Sequence, residues 1–268
     1  METIYFFAAP FVMCLLLIGI HCYLGLHVLA RGVVFVDLSL AQVASFGAAC
    51  ALIIDPEHHS PYSYFISLSF TLVAAALFAF ARRFEHRISQ EALIGITYAF
   101  ASAALVLVVD RLAHGAEHLK EALVGQILWV SWQDVLKTGL IYSVVGLIHY
   151  FYRKEIVASS FERESTHWVW DFLFYSLFGV VITSSTSIAG VLLVFSFLIV
   201  PAVISTLFFD RLVSRLLFGW SGAAIISLIG MWVSYKFDLP VGAVLVVLLT
   251  SMPILALLVL AFQKRTAG

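Results

Sequence analysis

The chain has 268 residues, 62% of them hydrophobic and 12% charged, with a mean hydropathy of +1.04 and a formal net charge of −1. Soluble domains run nearer about 45–50% apolar and about 25% charged, so the composition excludes a soluble domain and points to an all-α, polytopic helical membrane protein. A transmembrane β-barrel would show short alternating segments instead, and no basic tract speaks for nucleic acid as a partner.

Nine apolar segments are predicted to cross a bilayer: 4–29, 33–54, 62–81, 92–109, 121–152, 168–185, 188–209, 216–235 and 241–262. The first opens METIYFFAAPFVMCLLLIGI. It lacks a basic leader and is too long for a cleaved signal peptide, so it reads as a spanning helix. Cys14, Cys22 and Cys50 lie inside apolar segments and read as packing residues, with neither a disulfide nor a thiolate metal site.

The second segment, VVFVDLSLAQVASFGAACALII, carries one charge, Asp37. A spanning helix needs about 20 apolar residues, which puts Asp37 roughly 6 Å inside and Gln42 near the midplane. A carboxylate or amide in hydrocarbon costs a few kcal/mol unless it faces a protein interior or a water-filled path. The segment is therefore expected to line a route for a hydrophilic solute. Two plainer roles stand beside that one. Asp37 would meet the positive end of the helix dipole, and Gln42 would bond a neighbouring helix. The two side chains leave the helix about 140° apart and share no face.

The fifth segment is interrupted by Gly125, Ser131, Trp132 and Asp134, which suits a short re-entrant piece followed by a helix. Lys and Arg in short loops mark the cytoplasmic side. Threading nine crossings gathers Arg31, the loop RRFEHRISQ (82–90), the loop 153–167, Arg211 with Arg215, and the tail at Lys264 and Arg265 on one side. The N-terminus is then outside, the C-terminus is cytoplasmic, and the chain is one membrane domain over 1–268.

His21 and His149 fall within spans, where a lone histidine is commonly an interhelical donor. The outer loops hold His58, His59, His114 and His118. Asp110, His114, His118 and Glu121 would share a face if their loop were helical, a spacing that can hold zinc or manganese loosely. No His-Glu-x-x-His, G-x-S-x-G or P-loop pattern occurs, so an embedded protease or an ATPase within this chain is not expected. After Pro201 comes a half-polar segment with Arg211 and Arg215. It suits either docking on a cytoplasmic partner or an interfacial helix with snorkelling arginines.

Five stretches carry a resemblance: RGVVFVDLSLAQVASFG (31–47), EALIGI (91–96), LVGQILWVSWQDV (123–135), GVLLVFSFLIVPA (190–202) and GMWVSYKFDLPVG (230–242). In that order they resemble the ABC-3 family, the membrane permeases of bacterial ABC importers for zinc, manganese or iron(II). The resemblance implies a type II ABC importer-like fold, a permease homodimer or heterodimer in the bacterial plasma membrane, a cytoplasmic ABC ATPase and an extracytoplasmic metal-binding protein. It implies no cofactor bound by this chain and a divalent metal as the transported substrate. It also implies that Asp37 and Gln42 meet the metal and that Pro201, Arg211 and Arg215 couple to the ATPase; His21, within the first span, is a further candidate metal ligand. The family's second helix typically reads R-x5-D-x3-H-x4-G. Here Ala41 or Gln42 takes the histidine position, according to which end is counted from. An amide oxygen suits harder cations than zinc. An ion-coupled carrier or channel without an ATPase is the competing reading. It would favour inverted repeats, and none is visible.

Overall fold

The computed structural model describes residues 2–54, 61–112, 115–162 and 168–266, which form helices and turns with no strand among them. The helices are α1 (Glu2–Arg31), α2 (Val36–Ile54), α3 (Pro61–Ala81), α4 (Gln90–Val109), α5 (Gly115–Val124), α6 (Trp132–Phe151), α7 (Arg153–Val157), α8 (Trp168–Phe208), α9 (Leu212–Phe237) and α10 (Val241–Thr266). Most are apolar on every face, as a bilayer requires, because a helix satisfies its own backbone groups where no water can. Seven are long and apolar enough to cross a membrane, and α6 with the segment bent 85° after it adds an eighth candidate.

The 41-residue α8 breaks at Gly190, whose φ of 74° and ψ of 161° lie outside the helical region. Its two arms fold back on each other. Arg31 Nη1 bonds Asp171 Oδ1 at 2.7 Å, while a Cβ at Gly25 would stand 2.0 Å from the Leu198 carbonyl oxygen. From Asp171 to Leu198 an unbroken helix would extend about 40 Å, yet from Gly25 to Arg31 it extends only about 9 Å. Only a chain that folds back at Gly190 meets both contacts, so α8 is two arms joined at that break.

Two boundaries differ from the sequence reading. The sixth and seventh segments were expected to part near Ser184–Ser187, but the break comes at Gly190. Ser184, Ser185, Thr186 and Ser187 each return a hydroxyl hydrogen bond to a carbonyl three or four residues back, which keeps a polar run helical. The fifth segment does not begin at 121. Residues 121–124 close α5, Ile127–Trp129 make a 3₁₀ turn, and α6 starts behind a Ser131–Asp134 capping box.

The loop before α6 and the α8 hairpin are joined glycine to glycine. A Cβ on Gly125 (φ 68°) would meet the Gly190 nitrogen at 2.4 Å, and the Gln126 N–H donates to the Ile188 carbonyl at 3.0 Å. At the opposite end a buried polar knot joins four elements. The Arg31 guanidinium bonds Asp171, Ser159 Oγ and Ser160 Oγ and lies 4.1 Å from the Phe174 ring centre. Arg82 shares the same Asp171 oxygen and donates to the Ser159 carbonyl at 3.1 Å. Arg31, Arg82 and the described part of the 153–167 connection, 153–162, therefore lie at one end of the bundle, as the threading required.

Candidate functional site

At the other end the bundle opens into a cavity of about 370 Å³. The α2 residues on its wall are Ala44, Ser45, Ala48, Ala49 and Leu52. At 3.6 residues per turn Ala44, Ala48 and Leu52 fall on the face of α2 that also carries Ala41 and Asp37, while Ser45 and Ala49 lie further round the helix. A stripe of small side chains thus runs along α2 from the cavity to Asp37. Opposite it, α3 and α8 present hydroxyls. Ser67 and Thr183 line the cavity, and Thr183 Oγ1 donates to Thr71 Oγ1 at 3.0 Å one turn deeper on α3. The cavity's polar lining consists of hydroxyls, the Glu121 carboxylate and the Gln126 amide, with no thiol or imidazole among the described residues. Six waters occupy roughly 200 Å³, so a fully hydrated divalent cation fits.

Asp37 lies in the first turn of α2 and is 1% exposed. Its position at the helix start agrees with the capping role, but its Oδ1 has no hydrogen-bond partner among the described residues. Gln42 is also buried and is not among the cavity's lining residues, and it leaves α2 about 140° from Asp37, on the side that carries Ala49. His21 is tied down. Its Nδ1–H donates to the Leu17 carbonyl at 2.8 Å, and its Nε2 stands 3.2 Å from Ser185 Oγ. His21 is also about 15 Å of helix above Arg31, whereas Asp37 follows Arg31 by a single turn, so the two occupy different depths. Among the described residues no three His, Cys, Asp or Glu side chains gather as a metal site.

Of the run Asp110, His114, His118 and Glu121, Asp110 caps the end of α4 and Glu121 lies in α5, which begins at Gly115. His58, His59 and His114 lie outside the described residues, as does the His118 side chain. Glu121 remains at the cavity and accepts from Gln126 Nε2 at 2.6 Å. On the connector, Pro201 is buried within α8, where a Cβ on Gly219 of α9 would come 3.2 Å from its Cβ. Arg215 Nε donates to the Phe209 carbonyl at 2.7 Å and so closes the end of α8, while Arg211 is exposed.

Two features escaped the sequence reading. Glu91 was visible only as the first letter of EALIGI. Its Oε1 accepts the Phe35 N–H at 3.2 Å just ahead of α2, and its buried Oε2 has no partner among the described residues. His27, also fully buried, holds Ser160 Oγ at 2.9 Å and belongs to the polar knot.

Comparison with known proteins agrees with this architecture. The structure superposes on PsaBC from Streptococcus pneumoniae in complex with Fab with a TM-score of 0.75, at 20% identity, covering 93% of this chain and 90% of that one. It also superposes on an inward-facing metal-chelate type ABC transporter with a TM-score of 0.66, at 17% identity, covering 94% and 85%. In sequence it is 27% identical over 234 residues to the manganese transport system membrane protein MntC of Listeria monocytogenes, covering 85% of this chain and 81% of the relative. Against MntB of Synechocystis, also a manganese transport system membrane protein, identity is 26% over 64% of this chain and 58% of the relative's length. The model of the ABC 3 transport family matches residues 4–260, and the chain belongs to that family.

Proposed function

We propose that this chain is the membrane-spanning permease of an ATP-driven importer for divalent metal ions and that the ion passes along the α2 stripe to Asp37. The observation that carries the reading is Asp37 itself. It is a fully buried carboxylate with an unpartnered oxygen, on the helix face that lines a polar cavity. A carboxylate at that depth, offset among the described residues only by backbone N–H groups at the helix start, is costly, and a passing cation would offset it further. Among the described residues the cavity offers oxygen ligands, which favour manganese(II) over zinc. Relatives named for manganese and iron transport support the same choice.

The reading includes partners. A second permease, identical or paralogous, completes the membrane unit. An extracytoplasmic binding protein delivers the ion to the cavity, where Glu121 is the acidic group. The basic end faces the cytoplasm by the positive-inside rule, with the N-terminus outside. There the connector between α8 and α9 docks on a separate ATPase subunit. Phe208, Phe209 and Phe218 pack ring to ring beside Arg211 and stay partly exposed. Closure of the ATPase pair would then move the end of α8, and the cavity would alternate between outer and inner access.

Uptake of manganese into proteoliposomes holding the permease, its ATPase and its binding protein tests this directly. Uptake is expected to need ATP and to be competed by iron(II) more strongly than by zinc. Uptake driven by an ion gradient with no ATPase present would instead establish the carrier reading.

A further inference from the structure

Asp37 and Glu91 start two neighbouring helices, α2 and α4, near the basic end of the bundle. Glu91 Oε1 receives the N–H of Phe35, two residues before Asp37, so the Glu91 carboxylate sits against the first turn of α2. The contact at Phe35 brings the Glu91 carboxylate to the same helix start that carries Asp37. Each keeps one buried oxygen without a partner among the described residues, Oδ1 on Asp37 and Oε2 on Glu91. The ion pairs found among the described residues are those of Arg31 and Arg82, and both arginines are committed to Asp171. Two like charges in a low-dielectric setting with no counter-ion repel strongly unless a cation lies between them.

We infer that Glu91 is a second cation-contacting residue of the permease and that it forms with Asp37 a two-carboxylate seat for a divalent ion at the inner end of the path. Water supplies the remaining positions, as hard divalent ions accept. The inference rests on the metal-permease reading above. It adds a residue on α4, so the ion would be held between two helices. Motion of one helix against the other would open the seat and release the ion. Weak, separable binding of this kind is what conduction requires.

The test uses the permease–ATPase complex in nanodiscs titrated with manganese(II) alone, with the free ion followed by its electron paramagnetic resonance signal. Glu91→Gln keeps an oxygen for the Phe35 N–H and removes only the charge, so assembly and melting temperature should stay at wild-type values. Manganese affinity is expected to fall at least tenfold in Glu91→Gln and in Asp37→Asn, with little further loss in the double variant because both act on one ion. Glu91→Asp, which keeps the charge at shorter reach, is expected to bind better than Glu91→Gln. Wild-type affinity in Glu91→Gln alongside lost affinity in Asp37→Asn would overturn the role of Glu91 and leave Asp37 as the ligand. No binding by the intact wild-type complex would remove the metal reading itself, and this inference with it.

Discussion

At the scale of single residues, the face on which a side chain stands decides its role. Asp37, Ala41, Ala44 and Ala48 follow one another along one side of α2, and Gln42 leaves from another. With Cys14, Cys22 and Cys50 replaced, Ala44→Cys and Ala48→Cys should react with a hydrophilic thiol reagent and be protected by manganese, while Gln42→Cys should stay unreactive. Equal labelling at Gln42 would mean that the stripe is not the wet face. Asp37 was legible in the sequence because a charge in an apolar run must be explained. Glu91 was not, because an acid in the first turn of a helix is already accounted for by the dipole. Only the contact with Phe35, between residues far apart in the chain, singles it out. His21 went the other way. Its position within a span marks a polar need, but only the fold shows that Leu17 and Ser185 meet it.

At the scale of elements, two joints hold the helices in place, and each makes a measurable claim. The glycine crossing of Gly125 on Gly190 tolerates no Cβ, and both residues have positive φ. Gly190→Ala should therefore cost at least about 1–3 kcal/mol from backbone strain alone, before the clash is counted. Thermal unfolding in detergent reads this as a lowered midpoint, and an unchanged midpoint would mean that the hairpin is not built this way. The polar knot is the second joint. Asp171 is 3% exposed and answers two arginines, so Asp171→Asn leaves buried positive charge unpaired. A loss of about 3–5 kcal/mol is expected, and Asp171→Glu should recover part of it. Spans such as α2, α3 and α4 were readable from length and hydropathy, since a bilayer imposes both. The α8 break was misplaced because its serines and threonine satisfy themselves within the helix, which leaves a single glycine to make the turn. The mixed character of the fifth segment was legible from Gly125 and Ser131, but its division into α5, a 3₁₀ turn and α6 depends on contacts with α8.

At the scale of the whole molecule, the cavity and the α8–α9 connector lie at opposite ends, with the stripe between them. On the proposed reading, ATP hydrolysis by a partner would act on the path through the bundle, and α8 both lines the cavity and ends at the connector. Arg211 is exposed beside the phenylalanine cluster, whereas Arg215 is bound to the α8 terminus. Arg211→Glu should therefore weaken ATPase capture in a pull-down several-fold and leave the permease folded, while Arg215→Glu should lower permease stability as well. Identical capture by both variants and wild type would move the docking surface elsewhere. The central claim is that a divalent cation passes Asp37 on its way in, and ATP-dependent manganese uptake by the reconstituted Asp37→Asn complex tests it most directly. Uptake below a tenth of wild type, with the ATPase still bound and the permease still folded, is the expected result. Wild-type uptake by that variant would contradict it.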